Sequence, residues 1–476
     1  MRRALLVPMI LAMLVAPVPA QGPGASTVLA GLDAKTAVYG DLAMRIWSLA
    51  EVGYQEEASS ALLQDQLRAA GFTVTAGVAG IPTAFVATWG RGAPVIGIVG
   101  EFDALPGLSQ AAVPERRPLV ENGPGHGCGH HLFGTASTAA AIAVKDWLAA
   151  GTRTGTIRFY GTPAEEGGAG KVYMARAGLF EDVDVVVGWH AGDRNAVSSA
   201  SSLANVNAKF RFRGIPAHAS GAPHRGRSAL DGVEAMNAMV NLMREHVPSD
   251  TRIHYIITSG GSAPNIVPEF AEAYYYARHS DMRVLDGIWE RIINAARGAA
   301  LGTDTTMDFE VMGAVWNILP NDALAAVMHT QLEAVGGFEY TPEERAFAER
   351  LRATLDGTLP PIDSTTQIFA PQGGIGTAST DVGDLSWLVP TVQMTAATWV
   401  PGTSAHTWQA VAAGGTSIGV KGMMVAAKTM ALTAMALFET PAHIEQARAE
   451  FDAKRGPDFV YTTRLAGRTP PLDYRK

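Results

Sequence analysis

The 476-residue chain has a single cysteine, Cys128. One thiol excludes an intramolecular disulfide and leaves packing, reactivity or metal ligation to account for it. Positive charge is not in excess, because 37 Lys and Arg stand against 45 Asp and Glu, a formal net charge of −8. A phosphate backbone is bound through cationic side chains, so nucleic acid is not an expected partner. Charged residues amount to only 17% and hydrophobic ones to 47%, beside 51 Gly and 27 Pro. That balance excludes a disordered or coiled-coil chain and fits a compact, loop-rich one. No Gly-rich phosphate loop with a following Lys stands where a strand meets a helix, which removes a nucleotide-binding fingerprint. At roughly 150 residues per domain, the length predicts more than one domain.

A bilayer-spanning run is missing from the N-terminus. Arg2 and Arg3 precede an apolar segment, residues 4–16, and Val18-Pro19-Ala20 offers the small residues of a cleavage site. This pattern reads as a secretory signal peptide cleaved after Ala20. The alternative is a retained anchor, but the apolar run falls short of the roughly 20 residues that cross a membrane. Cleavage predicts a periplasmic or secreted protein with no membrane attachment, by Sec or twin-arginine export. In an oxidising compartment a lone thiol needs burial or a bonding partner.

Short apolar runs at residues 94–99, 156–160 and 183–187 each end in glycine and polar or acidic residues and predict buried strands. Residues 135–148, apolar at helical intervals, separate the first two. Strands alternating with helices predict an α/β sheet covered on both faces, with ligands at the C-terminal strand ends. From about residue 205 the pattern changes to alternation. Strands at 206–212, 253–258, 270–278 and 305–315 and helices at 228–247 and 284–299 follow the order β-α-β-β-α-β, a ferredoxin-like unit inserted into a larger domain. Helices are expected at 321–335, 342–355 and 416–437, and a Gly-rich stretch covers 372–383. The tail from 442 predicts a surface helix and an extended arm.

Cys128-Gly129-His130 precedes the helical segment. A thiolate and an imidazole two residues apart, on a backbone freed by glycine, can turn toward one cation, and a helix N-terminus favours the thiolate. A buried Cys beside an exposed His and a catalytic Cys nucleophile are the other readings. Glu165-Glu166 follows a buried strand, where adjacent carboxylates repel and cost desolvation unless a cation or proton takes up charge. One can ligate a metal while the other acts as general base toward water. His190 ends the next strand, and Asp103 ends the first, where it can fix an imidazole ligand from behind. Mixed thiolate, imidazole and carboxylate donors suit zinc or a similar divalent ion.

Six segments carry a resemblance. Gly100-Glu101-Phe102-Asp103-Ala104-Leu105-Pro106, His126-Gly127-Cys128-Gly129-His130, Thr162-Pro163-Ala164-Glu165-Glu166, Gly214-Ile215-Pro216-Ala217-His218-Ala219, Ala263-Pro264-Asn265-Ile266-Val267-Pro268 and Ser379-Thr380-Asp381-Val382-Gly383-Asp384 occur in this order. Together they resemble the aminoacylase and carboxypeptidase family of metal-dependent amidohydrolases. The branch most resembled is the aminobenzoyl-glutamate hydrolase type, akin to the indole-acetyl-amino-acid and hippurate hydrolases.

The resemblance implies a zinc-peptidase-like mixed sheet covered by helices, split into residues 21–204 and 317–476, with residues 205–316 as a ferredoxin-like lid or dimerisation domain. It implies that Cys128, His130, Glu166, His190 and His406 hold one or two divalent metals, Zn or Mn. Glu165 would be the base and His218 would polarise the scissile carbonyl, in relatives often in a partner subunit's site. Asn265 and Arg278 would recognise the substrate carboxylate, a strand-edge salt bridge being the other reading of Arg278. Two departures stand out: His131 follows Cys-Gly-His where relatives of the auxin-conjugate branch carry Asp, and Cys128 replaces a bridging Asp of other relatives. His126 is left open, and His224, His246, His254, His279, His329 and His443 read as surface or core residues. The expected protein is an exported amidohydrolase of N-acyl amino acids or dipeptides, a homodimer or partner of a related second chain. A periplasmic dipeptidase or carboxypeptidase and a non-catalytic binding relative are the alternatives.

Overall fold

The computed structural model describes residues 24–465 and 467–475; the expected signal peptide lies outside them. Apolar runs without polar alternation need cover on both faces, and they occupy the middle of an eight-stranded sheet. Its strands are β1 (Thr73–Ala76), β2 (Phe85–Arg91), β3 (Val95–Gly100), β4 (Gly155–Gly161), β5 (Val185–Gly192), β6 (Asn195–Ser201), β11 (Ile368–Ile375) and β12 (Thr391–Ala397). They lie in the order β1-β2-β4-β3-β5-β12-β6-β11. β4, β3, β5 and β12 run parallel, while β2 and β6 join antiparallel, so the sheet is mixed. Ile96, Ile98 and Val186 are fully buried; burying such side chains is worth about 1.5–3 kcal/mol each.

Helices His130–Ala150 and Ser417–Glu439 pack against each other and the sheet. Small side chains at Ala136, Ala140, Ala427 and Ala431, all fully buried, suit close helix packing. Ser417–Glu439 is long and apolar enough to cross a bilayer, yet it is a core helix with both flanks covered.

A second, antiparallel sheet contains β7 (Ala204–Arg213), β8 (Arg252–Ser259), β9 (Phe270–His279) and β10 (Thr306–Val315), in the order β10-β7-β9-β8. Helices Ala229–Met243 and Met282–Gly302 cross over between its strands. Leu285, Ile288, Trp289, Ile292 and Ala296 recur at helical spacing and bury one face of the second helix against it. Ser228 and Asp281 cap the two N-termini by accepting backbone N–H groups.

β1, β2, β6, β11 and β12 were not anticipated from sequence. Part of the Gly-rich stretch forms β11, an edge strand paired parallel to β6, where backbone hydrogen bonds substitute for side-chain pattern. Beyond helix Pro441–Arg455 the arm does not hang free: Leu472 and Tyr474 pack against the core.

Candidate metal centre

Three neighbouring strand ends bring acids and imidazoles together. β3 leads into Glu101 and Asp103, both buried, β5 carries His190 near its end, and β4 leads into Glu165-Glu166. Gly129, at φ 74°, precedes the helix beginning at His130, and a Cβ there would collide with the Cβ of Ala191. Only glycine allows that approach, which brings Cys128 and His130 against β5. His406 arrives from a distant loop, tied down by its N–H donating to the Gly127 carbonyl at 2.9 Å.

Donor atoms converge into three overlapping triads: Cys128, His130 and His190; Cys128, Glu166 and His406; and Glu101, His130 and Glu165, each with donors within 4.8 Å of one another. Cys128 Sγ lies 3.5 Å from His190 Nε2, and Glu166 Oε1 lies 3.2 Å from His406 Nε2. Zinc bonds of about 2.0–2.3 Å in a tetrahedral arrangement put neighbouring donors roughly 3.3–3.6 Å apart. Nε2 of His130 and Oε2 of Glu101 lie 3.0 Å apart, and both, with Oε1 of Glu166, are buried without a well-aligned hydrogen bond. Buried donors packed this closely without aligned hydrogen bonds are costly unless a cation draws them together, so the donor set fits a divalent metal.

The surrounding groups fix the donors. Asp103 Oδ1 stands 2.8 Å from His130 Nδ1, and Oδ2 accepts the Glu166 N–H at 2.9 Å. His190 Nδ1–H donates to the Ala191 carbonyl at 2.8 Å, which leaves Nε2 free for ligation. Lys171, wholly buried, bridges Glu101 Oε1 at 2.6 Å and Asp381 Oδ1 at 2.7 Å. Glu101, Lys171 and Asp381 received no role from sequence; a lysine in a short helix carries no sign of burial.

Electrostatics separate the paired glutamates. Burial, then the Glu101 and Glu166 charges, push the Glu165 carboxyl well above the usual range. Burial also pushes Glu166 up, but His406 and His130 outweigh it and hold its carboxyl below the usual value. Burial keeps His190 low, in the neutral form that ligates, and pushes the Cys128 thiol up in the absence of a cation. A bound cation reverses that last effect by favouring thiolate.

A cavity of about 350 Å³ beside the triads is lined by Glu165, Glu166, Asn205, Tyr276, Arg278 and His406 among others. Arg278 lies on β9, an interior strand, and among the described residues no carboxylate forms an ion pair with it. The structure does not bring His218 and Asn265 there. Both are exposed, His218 after the end of β7 and Asn265 before the start of β9, at the opposite end of these strands from Arg278; there Ala219 N–H donates to the Asn265 carbonyl at 3.1 Å. Ten-residue strands, at roughly 3.3 Å per residue, place them about 30 Å from Arg278.

His131 and His126 take no part in the triads. Their Nε2 atoms face the Gly414 and Ile46 carbonyls at 3.0 and 3.1 Å, and burial lowers His131 to about 3, so it stays neutral. The exchange of Asp for His at 131 therefore does not add a ligand. His279 and His329 pair with Asp250 and Glu333.

Residues 97–438 match Peptidase family M20/M25/M40. The chain is 42% identical to one of the subunits of p-aminobenzoyl-glutamate hydrolase of Escherichia coli, over 88% of this chain and 93% of that one. It is 30% identical to Xaa-Arg dipeptidase of Mus musculus, over 91% and 93%. A solved Bacillus subtilis structure, described as a dinuclear metal binding peptidase from the M20 family, shares the fold with a TM-score of 0.57 at 16% identity, covering 87% of this chain and 99% of that one. A cluster built from three strand ends, on a chain that matches over this length, has one reading: the protein belongs to Peptidase family M20/M25/M40 and is a metal-dependent hydrolase of amide bonds.

Proposed function

We propose that the chain hydrolyses the amide bond of an N-acyl amino acid bearing a free carboxylate, of the aminobenzoyl-glutamate kind. The observation that carries this reading is Arg278 facing the same cavity as Glu165, Glu166 and His406. An unpaired guanidinium suits a bidentate grip on a carboxylate, one cavity's width from the hydrolytic pair. Cys128, His130, Glu166, His190 and His406 would hold one or two cations, zinc or manganese. Such a cation supplies Lewis-acid polarisation of the carbonyl and a lowered water pKa.

Glu165 takes the proton from the attacking water and returns it to the leaving amine, its burial favouring the protonated form that the return requires. Asp103 holds Nδ1 of His130, which would leave Nε2 free to take a cation. His218 and Asn265, distant from their own chain's cavity, serve the site of a second copy. The exposed Ile256 and Ile257 on edge strand β8, with Met239 and Leu242 on the adjoining helix, support such a homodimer. A related second chain is the other arrangement, supported by the Escherichia coli relative being named as a subunit. The N-terminal pattern supports export to the periplasm.

The test is metal analysis of the purified protein, followed by assays on p-aminobenzoyl-glutamate, other N-acyl amino acids and Xaa-Arg dipeptides with zinc or manganese restored. Metal-dependent release of glutamate is expected. Preferential cleavage of Xaa-Arg dipeptides favours the dipeptidase reading, and absence of both metal and turnover favours a binding protein.

A further inference from the structure

From Arg464 to Arg475 the described residues run from helix Met282–Gly302 and β10 to the loop that carries the paired glutamates. Arg464 Nε donates to Asp286 of helix Met282–Gly302 at 2.8 Å. Arg468 bonds the Met312 carbonyl and lies 3.7 Å from Glu310, both on β10. Beyond these anchors, the Thr469 carbonyl accepts from Tyr173 at 3.3 Å and the Leu472 carbonyl from Gln55 at 2.7 Å. Tyr474 meets Tyr54 edge to face, with ring centroids 5.6 Å apart, and Tyr54 donates to the Gly168 carbonyl at 2.6 Å.

The last two contacts are the informative ones. Tyr474 Oη donates to the Glu166 carbonyl at 3.0 Å, and the Arg475 guanidinium donates to the same oxygen at 2.6 Å. The N–H of Glu166 is held from the other side by Asp103 at 2.9 Å. Both faces of one residue's backbone are therefore gripped. The loop needs holding, because Ala164 and Ala169 adopt left-handed φ values of 56° and 57°, a region costly for residues other than glycine. Gly53 is shaped around this contact: a Cβ there would collide with the Tyr474 hydroxyl.

We propose that Tyr474 and Arg475 are positioning residues that clamp the Glu165–Glu166 loop, and that the arm bearing them couples the four-stranded sheet to the hydrolytic pair. The inference rests on the assignment of Glu165 as base and Glu166 as metal ligand. Neither arm residue belongs to a donor triad or lines the cavity beside them; both act through the Glu166 carbonyl.

The test uses the full chain with Tyr474→Phe and Arg475→Met combined, against the parent. Hydrogen exchange over residues 162–170 reads the loop, chelator-driven metal release reads Glu166, and kcat and KM on p-aminobenzoyl-glutamate read catalysis. Expected are loop exchange and metal release each faster by about tenfold, and kcat lower by about tenfold with KM within about threefold. Unchanged loop exchange overturns the clamp, as does faster exchange with unchanged kcat and metal release. A parent that binds no metal and cleaves no probe sinks the functional reading instead, while loop exchange still decides the clamp.

Discussion

Asp103 presents its Oδ1 to Nδ1 of His130 at 2.8 Å, with both side chains buried. Its other oxygen accepts the Glu166 N–H, so one carboxylate sets donors from two separate loops in register. Replacing it with Asn leaves one acceptor where two are needed. Asp103→Asn is expected to weaken metal binding by about 10- to 100-fold, measured by chelator competition, with the circular dichroism spectrum unaltered. Parent affinity in the variant would show that His130 is aligned by other means.

Glu165→Gln removes a proton acceptor and keeps the side-chain volume. Turnover should fall by about 10²- to 10⁴-fold with bound metal largely intact. A variant within about tenfold of the parent rate would exclude Glu165 as the base.

Cys128 belongs to two of the donor triads, whereas His190 and His406 belong to one each. Metal content per chain, by elemental analysis, should therefore drop further in Cys128→Ala than in His190→Ala or His406→Ala. Equal losses in all three variants would show that the sulfur is not shared.

Burial raises the Asp384 carboxyl from 3.8 to about 7, while its oxygens accept from Tyr461 and the Trp316 N–H. Between those values the folded chain retains a proton that the unfolded chain has lost. The stability from this group is complete below pH 3.8 and disappears as pH rises through about 7. Asp384→Asn should flatten that dependence by on the order of 4 kcal/mol, read from urea unfolding across this range. Identical slopes would place the proton elsewhere.

Legibility followed the locality of each signal. Cys128, His130, Glu165, Glu166 and His190 were readable because each adjoins a buried strand or opens a helix, where chemistry and local pattern coincide. His406 emerged only through family resemblance, since its loop meets the Gly127 carbonyl by tertiary contact alone. Lys171 was invisible for the same reason: its burial is created by Glu101 and Asp381 arriving from other elements. The ferredoxin-like strand order was legible from alternation and helical spacing, whereas β11 was not, because glycines carry no side-chain periodicity. Arg278 was named without its geometry, and its place in the interior of a sheet could not come from spacing.

The shared sulfur also concentrates chemical vulnerability in one atom. Oxidation of Cys128 to a sulfenic or higher acid would remove a donor from two of the three triads at once, whereas damage at His190 or His406 would touch only one each. Burial and the raised thiol pKa oppose that oxidation, because the exposed thiolate is the reactive species, so the packing around Cys128 guards the donor it positions.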